Sequence, residues 1–186
     1  EEGQGTMSGF ASYLVQEKIG GPVSDQADMQ RAASRLYRRT CARAWLGRLW
    51  AGLMGYSNHP RPLSTVAEIV TVRDRREVGV QQAPLDRIQG AEEHWREFDA
   101  AFCPLDSHHK EWWLQVATAR LRGQRLPPIA LIRVGDIYFI QEGHLRVSVA
   151  KALGEAVIDA QVTVWEIAPL PSWNERDLRR VVVGLG

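Results

Sequence analysis

Residues 129–165 read IALIRVGDIYFIQEGHLRVSVAKALGEAVIDAQVTVW, and their pattern decides the fold. Ile129–Val134 and Ile137–Ile140 are apolar runs rich in β-branched residues. Gly135-Asp136 separates them, which predicts a two-residue hairpin. Glu142-Gly143-His144 ends the second run. Leu145, Val149 and Leu153 then recur at helical spacing as far as Gly154, so a helix over 145–153 is expected. Val157–Trp165 returns to a period of two, with apolar residues at 158, 160, 162 and 164.

A strand that breaks at glycine and opens directly into a helix suits an anion. The first helical N–H groups have no partner within the helix and point outward. The helix dipole adds partial positive charge at the same place. Gly143 would allow positive φ or a close backbone approach. Arg146 would supply a bidentate donor, and His144 a further donor or a proton carrier near neutral pH. Glu142 would hold Arg146, accept from a ribose or act as a base. The expected phosphate-binding set is therefore Gly143, His144 and Arg146, with Glu142 and His144 as candidate catalytic groups.

Upstream, Glu77–Gln82 predicts a strand stopped by Pro84, and Leu85 and Ile88 are apolar anchors of the turn that follows. Ala91–Phe102 is expected to be helical up to Pro104. Ser107 is a candidate cap for a helix over 108–122 with Gly123 as its stop. Within it Trp112 and Trp113 cannot share a side, so one belongs to the core and the other to an interdomain or dimer surface, which keeps a homodimer open. His108 and His109 read as a helix start facing water, with a pocket role as the minority alternative. Arg73–Glu77 reads as a solvated connection, and Ser64–Val70 as a short helix.

A proline-free helix over 26–54, capped by Ser24 or Asp25, precedes all this. Between 23 and 67, seven arginines (31, 35, 38, 39, 43, 48 and 61) stand against Asp25 and Asp28. The other residues of the chain bring the formal net charge down to +1. A basic surface all round is thereby excluded, but a local one is not. Arg31, Arg35 and Arg38 share a helix face. That face suits solvent, a nucleic-acid backbone or, together with Trp45 and Trp50, a membrane surface.

The two cysteines, Cys41 and Cys103, make no disulfide framework or zinc motif, and no metal ligand set stands out. No run is apolar enough to span a membrane, and the polar start lacks the basic region of a secretory signal. A cytoplasmic protein is expected. The divisions expected are a flexible segment 1–22, an Arg-rich helical extension 23–76, a core 77–165 and a tail 166–186.

The segment PPIALIRVGDIYFIQEGHLRVSVAKALG, followed by VIDAQV, resembles the core of the ParB/sulfiredoxin superfamily. The matching parts are Pro128-Ile129, the Gly135-Asp136 turn, Gly143-His144-Leu145-Arg146 and Ala150–Gly154. EVGVQQAPLDRI is similar to the opening strand and turn of such domains. Phe98-Asp99-Ala100-Ala101-Phe102 is similar to a segment of a ParB-like bacterial subgroup. The resemblance implies an α+β fold: a small mixed sheet with flanking helices, joined here by an N-terminal helical extension. It also implies nucleotide phosphates on Gly143, His144 and Arg146, with CTP, ATP or GTP as candidates, Mg2+ as a companion ion and NTP hydrolysis as a further step. DNA binding through Arg31, Arg35 and Arg38, or a ParB-like metal-dependent nuclease, are the alternatives. Leu145 departs from the family, where His or Arg is frequent. His144 replaces the reactive Cys of sulfiredoxin, which removes that chemistry. The 21 residues after Trp165 are too few for the helix-turn-helix region of a partitioning protein.

Overall fold

A computed structural model describes residues 23–55, 58–106 and 108–168. The expected segment 1–22, the Ser107 cap and the tail from 169 onward lie outside the described residues. The fold is α+β. In chain order it comprises α1 (Val23–Met54), β1 (Arg61–Pro62), α2 (Leu63–Ile69), β2 (Val72–Pro84), β3 (Ile88–Ala91), α3 (His108–Leu121), β4 (Ile129–Val134), β5 (Ile137–Glu142), α4 (His144–Leu153) and β6 (Val157–Ile167).

The six strands form one mixed sheet in the order β1-β3-β5-β4-β6-β2. The expected hairpin is its centre, with Val134 opposite Ile137 and Leu131 opposite Ile140. Strand β6 joins β4 in parallel through the α4 crossover. Because side chains alternate across a strand, the hairpin feeds two cores. Ile129, Leu131, Tyr138 and Ile140 face α4 and pack with Val147 and Ala150. Ile132, Val134, Ile137 and Phe139 face the other way, onto Leu63 and Val66 of α2. Fully buried side chains of this size each contribute about 1.5–3 kcal/mol. A strand pair covered on both faces therefore anchors the domain.

A third cluster joins the helices. Ala33 of α1 packs with Trp113, Val116 and Ala117 of α3 and Val149 of α4. The half-buried Leu36 and Tyr37 of α1 pack against it as well. The last buried residue of α1 is Ala44, and the helix continues to Met54. Helix α1 starts at Val23, ahead of the expected cap at Ser24 or Asp25. Of the tryptophan pair, Trp113 is in the core and Trp112 is half-buried. Cys41 of α1 and Cys103 are free thiols with their sulfurs 3.6 Å apart.

Two expectations fail. Arg73–Glu77 is not a connection but the first half of β2, paired antiparallel with β6. Solvated side chains do not prevent backbone pairing, and charge is a usual guard on an edge strand. Arg75 lies 4.5 Å over the Trp165 ring, and Arg76 is 3.6 Å from Glu166. This strand crosses residues 76–77, where the extension was expected to meet the core.

Nor is 91–102 a helix. Strand β3 ends at Ala91, a single 3-10 turn spans Trp95–Glu97, and the chain then bends back. Asp99 is the cause. Its buried carboxylate accepts from the N–H groups of Ala101 (3.0 Å) and Cys103 (2.8 Å). An aspartate satisfied this way competes with the helical ladder. Burial holds its pKa above the usual carboxylate value, and the two N–H groups pull the other way. The bend buries Phe98, Phe102 and Cys103 together.

Close packing at β3 gives a first prediction. A Cβ on Gly90 would overlap the Arg61 carbonyl oxygen and the ring of Phe139. Gly90→Ala should therefore cost about 2 kcal/mol by overpacking. A lower urea midpoint with an unchanged m-value is the expected result.

Candidate functional site

Glu142 is the last residue of β5, and Gly143 turns the chain into α4 with φ 102° and ψ 29°. The positive φ expected at Gly143 is present. The backbone also runs close over β4, since a Cβ there would come within 2.5 Å of Ile129 Cγ2. Glycine is needed at this position on both counts. No side chain caps the helix start. The Val147 N–H donates to the Gly143 carbonyl at 3.1 Å, the first bond of the helical ladder.

His144, the first helical residue, is nine-tenths buried, with 9% exposure. Its ring stacks on Phe98 at a centroid distance of 5.3 Å. Its Nε2 is buried and has no hydrogen-bond partner among the described residues. Burial, helped by nearby His94, pushes the pKa down from 6.5 to about 4. The imidazole is thus neutral at pH 7, with one ring nitrogen a donor and the other an acceptor.

Around His144 the structure gathers groups from separate segments. His94 Nδ1 and His109 Nε2 lie 2.7 Å from the two oxygens of Glu97. Burial alone would raise Glu97, but the hydrogen bonds from both imidazoles outweigh it and hold the carboxyl below its usual value. The His94 ring is 6.1 Å from that of His144, and His109 stacks on Phe98 at 5.7 Å. His109 therefore joins the cluster. His108 faces water and bonds Asp106 at 2.7 Å. Sequence reading missed His94 and Glu97 because both fell inside the mistaken helix. Their three-residue spacing was the available signal.

Arg146 goes elsewhere. Its Nη1 donates to the carbonyls of Pro127 (2.6 Å) and Pro128 (2.9 Å), and its Nη2 approaches Glu142 at 3.5 Å. Two residues along a helix turn about 200°, so His144 and Arg146 leave α4 on nearly opposite sides. Burial lowers the Arg146 pKa, and Glu142 offsets part of that effect. The side chain lines a cavity of about 40 Å³ beside Arg120, Leu126 and Asp159. The guanidinium nevertheless stays by the Gly143 turn, since a Cβ on Gly143 would lie 3.1 Å from Arg146 Nε. Arg146 and Glu142 form the brace that ties the entry to β4 to the start of α4.

No family model and no curated protein matches the chain. A sulfiredoxin from Arabidopsis thaliana is similar in structure, with 17% identity and a TM-score of 0.32 over 56% of this chain and 96% of that one.

Arg31, Arg35 and Arg38 lie on the exposed side of α1. Arg31 is 3.6 Å from Asp28. Among the described residues, no group of three His, Cys, Asp or Glu is placed to hold a metal ion. No described helix is long and apolar enough to cross a membrane.

Proposed function

We propose that the chain binds a nucleotide or a similar phosphorylated ligand at the start of α4. The reading takes it as a cytoplasmic bacterial protein of the ParB/sulfiredoxin-like superfamily. The observation that carries it is the uncapped helix start at Gly143 beside the buried, unpartnered Nε2 of His144. Backbone N–H groups and the helix dipole would hold phosphate oxygens. His144 Nε2 would accept from a ligand hydroxyl, such as that of a ribose or a protonated phosphate. Arg146, fixed by Glu142 and two carbonyls, would keep the Gly143 turn in shape from behind. If hydrolysis follows binding, His144 would be the group to take a proton.

The test is a thermal-shift series with CTP, ATP and GTP at millimolar concentration, each with Mg2+. At a ligand concentration of 100 times Kd, linkage adds about 2.7 kcal/mol to stability, a shift of several degrees. His144→Gln should abolish the shift, and the triple change of Arg31, Arg35 and Arg38 to Ala should leave it. No shift with any of the three nucleotides would overturn the proposal.

A further inference from the structure

The outward face of α1 has two halves. Taking about 100° per residue, Arg31, Arg35, Arg38, Trp45, Leu49 and Leu53 fall within a sector of about 80°. The buried residues Ala33 and Ala44 lie on the opposite side. All five arginines from 31 to 43 are exposed. Beyond them Trp45 (56% exposed), Leu49 (60%), Trp50 (63%) and Leu53 (76%) stand in solvent, with Leu46 and Met54 beside them. An apolar surface of this kind on one helix marks an interaction site. The face therefore calls for anions along about 18 Å and an apolar medium along the next 14 Å or so.

We propose that this face docks on an anionic phospholipid surface. Residues 29–67 hold no acidic side chain, so from α1 a second copy could offer the arginines only Asp25 and Asp28 at its start, and Asp28 already lies 3.6 Å from its own Arg31. Duplex DNA offers phosphates but no medium for Leu49 and Leu53. A protein partner would need an acidic groove that turns apolar midway and fits a convex helix. A fluid bilayer moulds itself to a convex helix and supplies both layers. The placement of the indoles agrees. Trp45 and Trp50 lie about 140° apart, on either side of the Leu49–Leu53 ridge. With the leucines inserted toward the acyl chains, the indoles would sit at headgroup depth, where Trp concentrates. The arginines would meet lipid phosphates along the same surface.

Co-sedimentation of the full chain with vesicles tests this. One set is phosphatidylcholine, the other equal parts phosphatidylcholine and phosphatidylglycerol. The protein should pellet with the mixed vesicles only, and high salt should weaken binding. Its tryptophan emission should shift to the blue. Trp45→Ser with Trp50→Ser, and separately Arg35→Glu with Arg38→Glu, should each weaken binding about tenfold or more. These side chains are exposed, and unchanged thermal unfolding checks that the variants fold. The proposal is overturned if neither vesicle binds, if both bind equally, or if the variants bind like the parent. It is also overturned if, without vesicle binding, the tryptophan variant abolishes a dimer or capture by another protein. Salt-sensitive binding to duplex DNA without vesicle binding would overturn it as well.

Discussion

Trp113→Ala should remove about 4 kcal/mol of stability. Trp113 has no exposed surface and stands where α1, α3 and α4 meet. Its ring meets Tyr37 of α1 edge-on at 5.2 Å, and its Nε1 donates to Ser148 Oγ of α4 at 2.8 Å. Truncation removes the transfer energy of an indole, opens a cavity and strands a hydroxyl whose residue is 1% exposed. A domain of ordinary stability, about 5–15 kcal/mol, loses a large share of it. Trp113→Phe should cost less, about 2 kcal/mol, because much of the packing remains and the hydrogen bond does not. Trp112→Ala should cost about 1 kcal/mol, since that ring is half-buried. Urea unfolding of the three variants measures the order. Equal effects of Trp112→Ala and Trp113→Ala would contradict the three-helix junction.

The order of those two tryptophans shows where the sequence is legible. Their adjacency turns them about 100° apart, but only the packing of α1 decides which one is in the core. The β4–β5 hairpin was readable as two apolar runs split by Gly135-Asp136, and α4 and β6 because each keeps one period. Strand β1 was not, since two residues carry no period; its pairing with β3 is a product of the tertiary fold. The first half of β2 was hidden by its charges, and the 91–102 bend by an aspartate whose hydrogen bonds depend on its burial. The site divides in the same way. Gly143 and His144 announce a strand–glycine–helix turn. The opposite heading of Arg146 follows from its two-residue offset, but its carbonyl partners do not. His94, Glu97 and His109 converge only because Phe98 is drawn into the core.

The buried imidazole at this convergence should make stability depend on pH in a window set by one residue. Unfolded, His144 takes up a proton near its ordinary value of 6.5; folded, only near 4. Between these values the unfolded chain holds a proton that the native chain lacks. Stability therefore falls as pH drops from 6.5 toward 4, by roughly 3 kcal/mol in total. Glu97 acts lower on the scale. Its folded pKa is depressed, so its contribution is present above the usual carboxylate value and is lost as pH falls through the folded one. His144→Phe keeps a ring against Phe98 and removes the titration. Urea unfolding between pH 7 and pH 4.5 should show the parent losing at least about 2 kcal/mol more than this variant. Parallel losses would mean that His144 titrates as it does in water. The same neutral state bears on binding. On the proposed reading, a phosphate at the start of α4 would meet backbone N–H groups and a neutral imidazole instead of an imidazolium. Its affinity should then be nearly constant from pH 6 to pH 8 at this residue, whereas a site built on a charged histidine would weaken across that range.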